Sequence, residues 1–231
     1  QGRGLPLQTV VQYSRQLFSV LRVLRQWGVI HGDLKPDNVL LSMSKMEIKV
    51  CDFGSAFEVA DQIKTAYMQP RYYRAPEVIV GHTYDTQVDL WSLAVTLFEL
   101  ASGKILFTGR SNNAMLRQML EVCGAYPRKL ATTGAFSRKH FSPDGDFLFK
   151  EPNTIIGEEV MPMKRFAQPN RPISSMLEKV LKDAPPNSDA KTQERLLPRL
   201  ADLVTKCLVL DPAERATPEL ALEHSFYKKD R

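Results

Sequence analysis

The chain has 231 residues, 43% hydrophobic and 25% charged, the proportions of a globular protein with a core of its own, not of a disordered or fibrous segment. No apolar run reaches the roughly 18 residues of a membrane-spanning helix, and the three cysteines, Cys51, Cys123 and Cys207, are spaced for neither a disulfide framework nor a zinc site, which points to a reducing compartment. The formal charge of +5 is carried without a basic block or an aromatic-interleaved stripe, so it reads as a solvated surface, and neither direct nucleic-acid binding nor a membrane partner is expected.

In chain order, Val10, Leu17, Leu21 and Leu24 fall at helical spacing and predict a helix over 8–27, ended by Gly28. "NVLLS" and "EIKVCDF" are short β-rich runs separated by "MSKM", the pattern of a hairpin. Between 52 and 77 periodicity disappears, and a long loop inside a compact domain is usually a functional one. Residues 85–102 predict a helix apolar on most sides, hence buried, with Gly103 as its stop. A further helix is expected from Asn112 to Val122. Prolines crowd 126–190, which reads as an irregular insert interrupted by a helix over 174–182. "ERLLPRLADLVTKCLVLD" and "TPELALEHSF" resume helical patterns, the second with Thr217 as cap and Pro218 in its first turn.

The chemistry-bearing residues lie at the edges of the two short β runs. Asn38 and Asp52 offer hard oxygen atoms of the kind Mg²⁺ takes alongside water and phosphate oxygens. Gly54 lets the chain turn sharply after Asp52. Lys35, two residues after Asp33, supplies a point charge for a phosphate. A carboxylate, a lysine and two Mg²⁺ ligands are what phosphoryl transfer asks for, namely positioning and charge stabilisation.

"HGDLKPDN" at 31–38, "DFG" at 52–54 and "APE" at 75–77 resemble the catalytic loop, metal-binding turn and activation-segment end of eukaryotic protein kinases. "DLWSLAVTLFEL" and "LDPAERATPELALEHSF" are similar to two further kinase landmarks. "DFGSA", "RYYRAPE" and the long insert resemble the CMGC group. "HGDLKPDNVL", "GKILFTGRSNNAML" and "GAFSRKHF" are most similar to the pre-mRNA-processing factor 4 kinases, nuclear serine/threonine kinases that act on spliceosomal proteins. The dual-specificity tyrosine-regulated and Cdc2-like kinases compete closely.

The resemblance implies a mainly α fold, a kinase C-terminal lobe spanning 1–231 with short β-hairpins at the catalytic loop (31–38), an activation segment at 52–77 and a CMGC insert at about 126–190. It implies ATP and Mg²⁺ as cofactors, spliceosomal protein substrates, a monomer and a nuclear location. Asp33 would be the catalytic base and Lys35 would contact the γ-phosphate. Asn38 and Asp52 would hold Mg²⁺, and Leu40 and Cys51 would line the nucleotide pocket. His31 would be structural, packing near Phe53. Asp89 would bond catalytic-loop amides, and Glu77 and Arg215 would tie the activation segment to the C-terminal helices. No G-x-G-x-x-G and no V-A-I-K lysine precede the loop, so the N-terminal lobe is expected to be absent and the chain inactive by itself. The competing reading is a catalytically inactive, pseudokinase-like interaction module that docks partners through a groove around 105–165.

Two positions depart from the kinase pattern. Gly32 stands where many kinases carry an arginine that reads an activation-loop phosphate. Pro70 stands where most serine/threonine kinases carry a hydroxyl. Thr65 and Tyr67 form a T-x-Y resembling the dual phosphosite of the mitogen-activated kinases, whose tyrosine phosphate is read by arginines four and seven residues on, here Arg71 and Arg74. With Gly32 in place, Tyr67 is expected to be the switch and Thr65 to matter less.

Overall fold

The computed structural model describes residues 2–61, 65–153, 157–162, 169–182 and 190–228. Helix α1 (Leu7–Gln26) lays Val10, Leu17, Leu21 and Leu24 along its buried stripe and gives way at Trp27 and Gly28, the glycine taking φ +65°. The chain runs straight into β1 (Val29–Ile30), through the loop 31–38, and into the antiparallel pair β2 (Val39–Leu41) and β3 (Ile48–Val50). That hairpin is the one the two β-rich runs predict, turned through Lys45 at φ +57°.

The stretch 52–77, expected as a long loop, contains among its described residues short 3₁₀ turns and a two-residue strand, β4 (Phe57–Glu58), which pairs antiparallel with β1. A strand so short gives no periodic signal, and its partner lies far back in sequence. Helix α2 (Pro76–Val80) closes the segment.

Helix α3 (Gln87–Ser102) is the axis of the molecule. It is buried on almost every side and stops at Gly103, whose φ of +69° a residue with a Cβ would adopt only under strain. Trp91 stacks on Phe107 at 5.9 Å with an interplanar angle of 10°. Helix α4 (Asn112–Cys123) begins at Ser111, whose Oγ accepts from the Ala114 amide.

The insert is more regular than its prolines suggest. It holds helix α5 (Arg128–Thr133), the antiparallel ribbon β5 (Leu148–Asn153) with β6 (Gly157–Pro162), and helix α6 (Ile173–Lys182). Pro152 and Pro162 lie near strand ends in a two-stranded ribbon, where a missing N–H removes little of the ladder. Helix α7 (Ala190–Cys207) and α8 (Pro218–Leu222) complete the chain, α8 capped by Thr217 as the sequence predicts. Among the described residues no helix is long and apolar enough to cross a membrane.

One buried ion pair fastens the end of the activation segment to this C-terminal region. Arg215 Nη1 and Nη2 donate to the two oxygens of Glu77 at 2.7 and 3.0 Å, both side chains fully buried. Arg215 also donates to the carbonyls of Val209 and Gln87 and lies 5.1 Å over the Trp91 ring. With its donors met in this way the pair fixes geometry, and losing one partner would cost on the order of 3–5 kcal/mol.

Candidate functional site

The loop between β1 and β2 is shaped from below. Asp89, in the first turn of α3 and 1% exposed, accepts from the His31 amide at 2.6 Å and the Gly32 amide at 3.0 Å. Burial pushes its carboxyl up to about 6, and the two backbone bonds pull it back down. Gly32 takes φ +77°, and a Cβ built there would lie 2.9 Å from the Ser55 carbonyl oxygen. Glycine therefore meets a backbone demand at this point.

His31 is fully buried, with its ring 4.7 Å from Phe53 in an edge-on arrangement, as expected. The Asp33 amide donates to His31 Nδ1 at 3.2 Å, so the imidazole proton sits on Nε2, which faces the Cys51 carbonyl at 3.1 Å. This ring joins the loop 31–38 to the chain leading into Asp52.

Three predicted residues come into direct contact. Lys35 Nζ donates to both oxygens of Asp33 at 2.9 Å. Asn38 Nδ2 donates to the Asp33 carbonyl at 2.8 Å and to Asp33 Oδ2 at 2.9 Å. With Nδ2 committed, Asn38 is left with Oδ1 as the atom it can offer a cation. The Cys51 amide donates to the Asn38 carbonyl at 3.0 Å, which continues the β2–β3 ladder and sets Asp52 next to Asn38. The pleat puts Leu40 and Cys51 on one face of the hairpin, Leu40 exposed and Cys51 half-buried.

Asp52 itself, exposed, adopts a left-handed φ of +64°. The sharp turn expected of Gly54 is thus made by the aspartate, one of the few residue types that tolerate it. Gly54 has a different role: a Cβ there would come within 3.3 Å of Asp52 Oδ1 and crowd the carboxylate. Among the described residues no cluster of three or more His, Cys, Asp or Glu could hold a metal. An Asp carboxylate and an Asn Oδ1 suit Mg²⁺, which keeps most of its shell as water and phosphate oxygens.

The activation segment shows one predicted residue in an unforeseen position. Tyr67 is exposed and Arg71 is exposed, but Arg74 is 5% exposed. Arg74 donates to the carbonyls of Tyr67, Met68 and Gln69 and to Asn112 Oδ1 at 2.7 Å, and it lies 5.6 Å over the Tyr67 ring. Of the two arginines expected to read a tyrosine phosphate, Arg71 is the one whose side chain is exposed.

Sequence reasoning did not single out Gln69 or Asn112. Gln69, 6% exposed at φ +71°, donates to the Val88 carbonyl and Ser92 Oγ and accepts from the Ala75 amide. It braces the segment beside Pro70, which carries no hydroxyl to do so. Asn112 donates to the Ala66 carbonyl at 3.2 Å while holding Arg74, tying α4 to the segment. An unassigned "NN" at a helix start was the only sign of it.

The family description "Protein kinase domain" matches residues 1–227. The chain belongs to the protein kinase family. Within this family it is 39% identical over 226 residues to the "Serine/threonine-protein kinase prp4" of Schizosaccharomyces pombe, covering 98% of this chain and 46% of that protein. It is 38% identical over 226 residues to the "Serine/threonine-protein kinase prpf4B" of Dictyostelium discoideum, covering 97% of this chain and 27% of that protein. It is 33% identical over 254 residues to a "Dual specificity protein kinase YAK1 homolog" of Arabidopsis thaliana, covering 98% of this chain and 26% of that protein. The chain spans less than half the length of these relatives. The likeness expected to prp4-type kinases within the CMGC group is borne out, and the tyrosine-regulated competitors stand close behind.

Proposed function

We propose that this protein kinase transfers the γ-phosphate of ATP to serine or threonine hydroxyls of proteins, with splicing factors in the nucleus as substrates. The observation that supports the transfer is the arrangement around Asp33. Its carboxylate is held by Lys35 and Asn38 while its backbone neighbours are clamped on Asp89. In this reading Asp33 accepts the hydroxyl proton as the substrate oxygen bonds to the γ-phosphorus and the bond to the ADP oxygen breaks. Lys35 turns to the transferring phosphate and neutralises it. Asn38 Oδ1 and the Asp52 carboxylate would hold Mg²⁺, which when bound neutralises charge on the triphosphate. Leu40 and Cys51 present an apolar face to the nucleotide.

The splicing role and the nuclear location draw on the likeness to the prp4-type kinases. An inactive interaction module has no use for a carboxylate, a lysine and an amide in mutual contact, and this favours the enzyme. The test is phosphate incorporation from labelled ATP by the full-length gene product into spliceosomal proteins of a nuclear extract. Asp33→Asn should lower it by about 10²–10⁴-fold with the fold intact. Equal incorporation by both proteins would sink the assignment.

A further inference from the structure

A cleft of about 990 Å³ opens between the activation segment, the start of α4 and the insert. Thr65 and Tyr67 form one wall, Arg110 and Asn112 a second, and Lys139 and Lys150 a third. Among the described residues that line it there are three cations and no aspartate or glutamate. Arg110 and Lys139 are exposed and form no ion pair among the described residues. The positive field is felt locally: His140, on the same wall, is pushed down to about 4 by burial and by Lys150 and Lys139.

The back of the cleft is built rather than open. Asn113, 5% exposed, bonds His140 Nδ1, the Leu148 carbonyl and the Lys150 amide, locking α4 to the insert. Ser111 caps Ala114, and the amides of Asn112 and Asn113 in the first turn of this 12-residue helix have no intrahelical partner. Their dipoles add to the cationic side chains.

We propose that this cleft binds a phosphorylated serine or threonine on a partner protein, at a distance from the residue being modified. A guanidinium fork, an ammonium group and helix-start amides suit a tetrahedral dianion with three acceptor oxygens better than a single carboxylate. The volume exceeds what one phosphate fills, so it takes the flanking peptide too. The concave shape, with Tyr67 the one exposed aromatic among the described residues of its wall, fits a peptide segment and not a lipid surface or stacked bases. Two hydrogen bonds at Asn112, one accepted from Arg74 and one donated to the Ala66 carbonyl, connect the bound segment to the activation segment. Binding stands apart from phosphotransfer; that the partner is also the substrate rests on the kinase reading above.

The experiment is fluorescence anisotropy on the full-length protein. The probe is a fluorescein-labelled peptide of alternating phosphoserine and alanine, run beside its unphosphorylated twin. The phosphopeptide should bind selectively, and Arg110→Glu with Lys139→Glu should weaken it about tenfold or more, as loss of charged hydrogen bonds does. Lys139→Gln alone gives a milder variant that reads the same contact if the double one folds poorly. Equal binding of the two peptides, or unchanged affinity in a natively folded variant, overturns the proposal. So does tighter binding of anionic phospholipid vesicles or polyuridylate, or inorganic phosphate competing as well as the peptide, which would mean an adventitious ion only. If the site also selects substrates, the variants raise KM for a phosphopeptide that also carries an unmodified serine and leave kcat. Absence of turnover by the unsubstituted full-length protein, with phosphopeptide binding retained, counts against the phosphotransfer reading instead.

Discussion

At the scale of single residues, Gly32 changes meaning between sequence and structure. As a letter it is a missing phosphate reader. In the fold it holds φ +77° against the Ser55 carbonyl, a conformation that costs other residues on the order of 1–3 kcal/mol. Gly32→Ala should lower stability by about that amount, read as an earlier urea midpoint. Asp89 beneath it makes the loop sensitive to acid. Its carboxyl, pushed up to about 6, is ionised at neutral pH and accepts both loop amides. On protonation one oxygen becomes a donor facing an N–H, so kcat/KM should fall as pH drops through about 6. Asp89→Asn should lack that limb. Stability moves the other way: with the folded pKa raised above 3.8, this group favours the fold most below about 4, and its contribution is lost as pH rises through 6.

At the scale of elements, the activation segment carries the regulatory expectation. Tyr67 is exposed and Arg71 is available, whereas Arg74 is spent on carbonyls and Asn112. Tyr67→Phe should cut the activity of the cellular protein severalfold or more, and Thr65→Ala should be mild, measured as turnover alongside phosphosite mass spectrometry. Equal losses would refute the asymmetry. The helices α1, α3, α4, α6 and α7 were legible within a few residues because each presents a helical apolar stripe or an apolar cylinder with a glycine stop. The β2–β3 hairpin was legible because its strands are adjacent and alternate. The ribbon β5–β6 was hidden by its prolines, and the β1–β4 pairing by brevity and distance. At the site, Asp33, Lys35, Asn38 and Asp52 were legible from a local motif. The bracing by Gln69 and Asn112 was not, since both act on partners that only the tertiary fold brings near. The cationic cleft escaped for the same reason: Arg110, Lys139 and Lys150 form no block in sequence.

At the scale of the whole molecule, the thiols report on integrity. Burial pushes Cys123 and Cys207 up to about 12, leaving almost no thiolate at ordinary pH, while Cys51 is half-buried on the hairpin. A maleimide at pH 8 should label Cys51 first and the fully buried Cys207 only on unfolding, as peptide mapping would show. The Glu77–Arg215 pair sets a different constraint. Its partners are separated by 138 positions, and ribosomes add about 5–20 residues per second. For on the order of ten seconds during each synthesis, Glu77 exists without its cation. The nascent segment around Glu77 cannot bury that carboxylate against its cation, and the fold closes around it only once Arg215 has emerged.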